Sequence, residues 1–218
     1  MWSSLAPTLQ ILPQLLKGAA VTLEITAMTA VVGAVLSFVI AFARMSGNRL
    51  VSGAARVYIE ILRGTSALVQ LFYLFYILPV FGITMGPMTT AVVGLGLNMS
   101  AYGAEVVRAG IQSVDEKQYE GGAALGLTRF QVMRLIIVPQ AVLVMLPSLG
   151  NLLIELIKAT SLVSLITLTE LTFSGRQMVV TTGRTFEVWG LVLLIYFCMA
   201  YPLTFAVRAA ETRAARFR

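Results

Sequence analysis

The chain contains no histidine, a single cysteine and few charges, 12% of its 218 residues. Without His, imidazole acid–base chemistry and His-ligated metal sites are excluded, and one Cys cannot close an intrachain disulfide. Cys198 lies in an apolar run, where a free thiol behaves as a small packed or lipid-facing hydrophobe. There is no Walker A sequence, no Gly-rich nucleotide loop after a strand and no paired-Asp motif, so nothing points to an enzyme. Net charge is +6, but the basic residues are thinly spread between apolar blocks. Nucleic-acid binding calls for a clustered basic face, and no nucleic-acid partner is expected. The opening M-W-S-S-L-A-P lacks a basic segment before its first apolar residues, so no cleavable signal peptide is expected.

What is present is apolar: 58% of residues, with mean hydropathy +0.86. A soluble domain is nearer half apolar and a quarter charged, so the composition is that of an integral membrane protein. A spanning helix needs about 20 largely apolar residues. Five stretches qualify: about Gly18 to Ala43, Tyr58 to Phe81, Pro87 to Ala104, Leu135 to Ile157 and Val188 to Val207. Ahead of the first, Leu5, Leu9, Leu12, Leu15 and Leu16 recur at helical spacing around Pro7 and Pro13, which predicts a short interfacial segment. No linker, repeat or low-complexity tract divides the chain, and one transmembrane domain over residues 1–218 is expected.

Lys and Arg in short loops set orientation. Twelve fall in one set of segments: Arg44, Arg49, Arg56, Arg63, Arg108, Lys117, Arg129, Arg134, Arg208, Arg213, Arg216 and Arg218. Only four, Lys17, Lys158, Arg176 and Arg184, fall in the opposite set. The bias predicts a multi-pass protein of the bacterial cytoplasmic membrane with its N-terminus outside. Segments 44–63 and 105–135 and the C-terminus are then cytoplasmic.

Between the third and fourth stretches lies a polar island, about residues 113–135, holding Asp115, Glu116, Lys117, Glu120, Arg129 and Arg134. Tyr119, Ala123 and Ala124 share a helical face. Gly126 can take the left-handed conformation that ends a helix. Thr128 can then cap a second helix carrying Val132, Leu135 and Ile136. Pro139 would tend to kink the helix that follows. On charge pattern alone, a protruding helix-turn-helix and an ordinary solvated loop both remain open.

Further residues decide between them. Glu120, Gly126, Ile136 and Pro139 stand at the separations of the EAA motif, with Gly121 and Gly122 for its usual alanines and Val138 for its leucine. Tyr58-Ile59-Glu60-Ile61-Leu62-Arg63-Gly64-Thr65 is followed by Ser66 where proline is usual. Ser100-Ala101-Tyr102 with Glu105, Arg108, Gly110 and Ile111 comes next, then Pro139-Gln140-Ala141, Pro147 with Asn151, and Lys158-Ala159-Thr160-Ser161-Leu162, with Ala159 for the usual Asp, before Glu170-Leu171. In this order the motifs resemble the polar-amino-acid (histidine/glutamine permease-like) family of ABC importer permeases, and they are compatible with an ectoine- or hydroxyectoine-type permease. The resemblance implies an all-α integral membrane protein of the type I ABC importer fold, about five transmembrane helices with a cytoplasmic EAA coupling helix-turn-helix. It implies ATPase contacts at Glu120, Gly121, Gly122, Ala124, Leu125, Gly126 and Phe130. Implied partners are ABC ATPase subunits, a second permease subunit (identical or homologous) and an extracellular or periplasmic solute-binding protein. No cofactor is expected on this chain; ATP and magnesium belong to the ATPase. The alternative is a channel or secondary transporter with no ATPase partner.

Polar groups within the apolar stretches are few, and such groups usually face a partner or a cavity. Three acid–base pairs recur three residues apart: Glu60/Arg63, Glu105/Arg108 and Glu155/Lys158. One helical turn brings each within reach. The first two read as charge neutralisation near helix ends; for the third, pairing and lining of a transport path both remain open. Asn98 and Tyr102, four apart, share a face, and Asn98 and Gln70 can act as interhelical glue. The resemblance implies that Asn98, Tyr102, Glu155, Lys158, Thr160 and Ser161 line the substrate pathway. Glu24 reads as snorkelling. Gly94, Gly96 and Gly103 predict close helix packing. Gly121 and Gly122 are both expected to tolerate Ala, whereas Gly126→Val is expected to uncouple transport.

Overall fold

The computed structural model describes residues 5–215, with side chains from Ile11 to Ala209. Leu5 and Leu9 of the expected interfacial segment have side chains outside that range, as do Arg213, Arg216 and Arg218 of the basic set. The described chain is helical throughout: α1 (Leu5–Arg44), α2 (Arg49–Gly64), α3 (Ala67–Phe72), α4 (Pro87–Gln112), α5 (Glu116–Ala124), α6 (Arg129–Val132), α7 (Val138–Ala159), α8 (Leu171–Thr182) and α9 (Thr185–Ala215). The separate interfacial segment is not there; its residues are the start of α1, which runs unbroken through Pro13.

Packing fixes the topology. α1 and α4 run parallel, since Gly33 abuts Met99 and, further along both helices, Gly103 abuts Ser37. α7 runs antiparallel to α4: Gly110 faces Met145, and Gly103 faces Leu152. α3 also opposes α4, with Gly94 against Leu71 and Asn98 against Gln70 and Leu62. α9 opposes α7, with Gly150 against Val207. Five long segments therefore alternate in direction. A Cβ on Gly96 would stand 3.2 Å from Val32, so the α4 glycines serve the close packing that their sequence predicts.

Three stretches, Ile11–Arg44, Arg129–Ile166 and Thr185–Ala209, are long and apolar enough to cross a membrane. A fourth appears if Arg49–Gly64 and Ala67–Phe81 count as one broken span. α4 is long enough but less apolar, and it buries Ala91, Leu95, Ala101, Ala104 and Val107 among its neighbours. A helix sheathed by other helices meets little lipid, so it can carry glycines and polar groups at low cost.

The expected unbroken span from Tyr58 to Phe81 is corrected: the chain bends by 103° after Gly64. Thr65 and Ser66 are both extended, at ψ 154° and 134°. The break leaves helix-end carbonyls without intrahelical partners. Gln70 Nε2 donates to Leu62 O at 2.9 Å, Asn98 Nδ2 to the same oxygen at 3.3 Å and to Gln70 Oε1 at 3.1 Å. Gln70 and Asn98 are thus the predicted glue, spent on one bend.

Two prolines follow a common device. Pro79 and Pro139 each come two residues after a five-residue π segment, Tyr73–Ile77 and Met133–Ile137. Proline lacks an N–H and its ring crowds the carbonyl four residues back; the wider π turn places that carbonyl elsewhere. Pro139 is absorbed in this way within a continuous helical stretch.

A third node ties the start of α8 to the middle of α1 and to α9. Glu170 is fully buried and caps α8, accepting from the backbone N–H groups of Thr172 and Phe173, both at 2.8 Å. Tyr196 OH donates to it at 3.0 Å, and Thr22 Oγ1 lies 3.5 Å away.

Candidate coupling turn and polar clefts

α5 and α6 project from the end of the bundle that holds the C-terminus of α4. Asp115 Oδ1 caps α5, accepting from Lys117 N at 2.9 Å. At its other end Gly126 has φ +74°, the left-handed conformation that favours glycine. Gly126 N–H bonds to Ala123 O at 2.9 Å and Leu127 N–H to Gly122 O at 3.1 Å, the paired bonds of a Schellman motif. Thr128 then caps α6 in a capping box: Thr128 N donates to Gln131 Oε1 at 2.8 Å, and Gln131 N donates to Thr128 Oγ1 at 3.3 Å. The helix–Gly turn–helix predicted from local signals is present with the same capping residues, and the solvated-loop reading falls away.

The tip is apolar. Leu125 and Phe130 flank the turn at 79% and 72% exposure. Glu120, Gly121, Ala124 and Gly126 are exposed beside them. Gly122 is the exception: it is buried, and a Cβ there would lie 2.7 Å from Val132 and 3.2 Å from Ile136. At Gly121 nothing lies within 4 Å. The expectation that both glycines tolerate Ala is therefore corrected for Gly122, which lets α5 cross closely over α6 and the π segment. Between α4 and this unit opens a cleft of about 700 Å³, lined by Gln112, Glu116, Tyr119, Glu120 and Arg129 among others. Burial pushes the Tyr119 phenol above its ordinary pKa.

The six expected pathway residues are not gathered into one cavity by the single chain. Asn98 is occupied at the α2–α3 bend. Tyr102 lies under Arg63, whose guanidinium carbon is 5.2 Å from the ring centroid, so the shared face of Asn98 and Tyr102 looks toward the end of α2. Tyr102, Arg63, Glu105, Arg108 and Ser148 line a cleft of about 460 Å³. Lys158 opens instead onto a cleft of about 370 Å³ with Tyr196, Tyr201 and Arg208. Thr160 is buried, with Oγ1 donating to Ile157 O at 2.6 Å, and Ser161 Oγ donates to Lys158 O at 2.8 Å.

Of the three acid–base pairs, one forms as expected, one takes another partner, and the one left open does not pair. Glu105 and Arg108 pair at 2.6 Å as predicted. Glu60 pairs with Arg56 at 2.7 Å instead of Arg63, because the Tyr102 ring draws Arg63 toward α4. Glu155 and Lys158 are exposed and form no ion pair among the described residues. Sequence reasoning missed Glu170 as a node and Tyr58, whose hydroxyl lies 2.6 Å from Ser100 Oγ and ties α2 to α4. Among the described residues no group of His, Cys, Asp or Glu could hold a metal ion.

Known proteins share this architecture. Residues 33–216 match the family described as binding-protein-dependent transport system inner membrane component. The chain is 44% identical over 208 residues to the Sinorhizobium fredii (strain NBRC 101917 / NGR234) protein described as "Probable amino-acid ABC transporter permease protein y4tF", covering 93% of this chain and 87% of that one. It is 36% identical over 214 residues to the glutamine transport system permease protein GlnP of Escherichia coli (strain K12), covering 97% and 96%. A solved amino acid ABC transporter with histidines superposes with TM-score 0.89 at 35% identity, over 95% of this chain and 97% of that one. These relatives rule against the channel reading. The chain belongs to the family of binding-protein-dependent transport system inner membrane components and is a permease subunit of an ABC importer for polar amino acids, with the type I importer fold.

Proposed function

We propose that this permease carries a neutral, zwitterionic solute, a glutamine-like amino acid or a compatible solute such as ectoine. Ala159, at the end of α7, stands where the K-D-T-S-L pattern that this stretch resembles carries a carboxylate. Without that carboxylate, a cationic side chain on the solute loses a charge-assisted partner. A relative named for glutamine transport, GlnP, supports the same class. Two permease subunits, identical or homologous, enclose the path. Each contributes Tyr102, Glu155, Lys158, Thr160 and Ser161 near it, and Asn98 supports the wall.

The drive comes from outside the chain. Two ATPase subunits, holding ATP and magnesium, seat the coupling tips at Glu120, Gly121, Ala124, Leu125, Gly126 and Phe130. A solute-binding protein delivers from the opposite face. The orientation is N-terminus outside and C-terminus cytoplasmic, so that the tips meet the cytoplasm. ATP binding shifts the permease between its inward- and outward-open states only through contacts that differ between the two.

The observation that carries the coupling assignment is the capped tip itself, with Leu125 and Phe130 exposed on either side of Gly126. Exposed apolar groups on a rigid, capped turn fit a partner's groove better than they fit water. The test is ATP-dependent uptake in proteoliposomes holding the whole importer with its binding protein. Uptake of labelled glutamine or ectoine exceeding that of arginine is expected. Strong arginine uptake with none of the neutral zwitterions would overturn the substrate assignment.

A further inference from the structure

α2 presents three distinct faces. Ala55 and Ile59 are buried, and Ile59 packs into the core formed with Ala41, Val107 and Ile111. Arg49, Arg56 and Arg63 recur seven residues apart along a second, exposed face. Leu50, Ala54, Val57 and Ile61 recur at spacings of four, three and four along a third. Those apolar side chains are far from covered: Leu50 is 83%, Val57 54% and Ile61 57% exposed. The bend of 103° turns α2 nearly across the line of the segment Ala67–Phe81 that follows, so if that segment runs into the bilayer α2 lies along its surface. A surface helix with an apolar stripe beside a basic one is built to sit in the headgroup region.

We propose that α2 is an in-plane binding helix for anionic phospholipid headgroups. Leu50, Val57 and Ile61 enter the acyl boundary, while the arginines meet phosphate. Charge decides the occupant: Arg44, next to α2 through its bond to Ser52 Oγ at 3.0 Å, joins Arg49, Arg56 and Arg63 against Glu60, while Glu105, which also lies near Arg63 and Arg44, is already paired with Arg108. That is a net charge of about three positive from four arginines, the size at which a basic cluster begins to read as binding anionic lipid. The inference deepens the permease reading and rests on it for the placing of α3 across the bilayer.

The test is amide hydrogen exchange on the full chain, in the complex in which it purifies. The complex is held in nanodiscs of phosphatidylcholine alone or of phosphatidylcholine with phosphatidylglycerol. Amides of α2 are expected to exchange more slowly in the anionic discs. Each basic residue near the surface contributes about fivefold to binding. Arg49→Gln therefore lowers the anionic protection about fivefold, and Glu60→Gln raises it by a similar factor. Unchanged exchange within α4 reports that the bundle stays folded. Equal α2 exchange in both lipids overturns the proposal, as does a protection that ignores both substitutions. Strong, lipid-independent protection together with disulfide formation between copies of Val57→Cys in a Cys198→Ser background would assign the stripe to a second copy, and would also overturn it. Accessibility of Ser46→Cys to an impermeant thiol reagent checks orientation separately, so an error there is told apart from failure of lipid binding.

Discussion

Gly121 and Gly122 are chemically identical neighbours, yet the same substitution is expected to stabilise α5 at the first and not at the second. Replacing Gly by Ala in a helix interior gains about 1 kcal/mol of helix propensity. At Gly121 the new methyl meets nothing within 4 Å, so Gly121→Ala keeps the whole gain. At Gly122 the methyl would stand 2.7 Å from Val132 Cγ2 and 3.2 Å from Ile136 Cδ1. Both contacts are inside ordinary van der Waals separation, and Val132 is itself buried. Overpacking of this kind costs about 1–3 kcal/mol, which cancels or exceeds the propensity gain. The two variants should thus differ by about 1–3 kcal/mol, or about 5- to 150-fold in the opening equilibrium of α5. Hydrogen exchange of the α5 amides reads that ratio directly, in the purified full-length complex. Co-purification of the ATPase reads its consequence, because α5 displaced from α6 no longer presents Leu125 and Phe130 together. Equal or greater protection of α5 in Gly122→Ala than in Gly121→Ala would refute the packing argument.

Gly126→Val forces a β-branched residue into a left-handed conformation at φ +74°, which costs an ordinary L-residue about 1–2 kcal/mol. Membrane levels of the permease should stay near normal while ATP-dependent uptake falls at least tenfold; normal uptake would show that the turn is not the docking point. Asn98→Ala removes one donor from the Leu62 carbonyl and one from Gln70 Oε1. Loss of these bonds at a part-buried bend should cost about 1–3 kcal/mol, seen as a lower melting temperature of the purified protein, and an unchanged melting temperature would deny Asn98 its role at the break.

The parts of this molecule legible in the sequence are those written by local chemistry. Gly126 and Thr128 are two residues apart, and each carries its own conformational preference, so the turn could be placed without knowing what surrounds it. The long apolar stretches could be found by counting. What escaped depends on contacts between residues distant in sequence. Gly122 differs from Gly121 only because Val132 and Ile136 cross above it. The bend after Gly64 has no proline to announce it, and it is held by Asn98, more than thirty residues away. Arg63 abandons Glu60 for a ring on α4. Glu170 is legible only as the Glu170-Leu171 motif element, and only the approach of Thr22 and Tyr196 makes it a node. Even α4 illustrates the rule: its modest hydropathy reflects neighbours that sequence composition does not name.

The π segment before Pro139 has a mechanical meaning. Arg129 to Ile166 is one continuous helical stretch of 38 residues, and the only wide turn within its first part is Met133–Ile137. Four residues of α6 lie on the tip side of that turn and 22 residues of α7 on the other. At about 1.5 Å per residue, the arms are about 6 Å and about 33 Å long. If the stretch turned there as one body, a displacement of about 1 Å at Arg129 would carry about 5 Å to Ala159, less whatever bending Pro147 inside α7 absorbs. Such a lever would trade force for travel, with Pro139 seated where the wide turn already makes room for its ring.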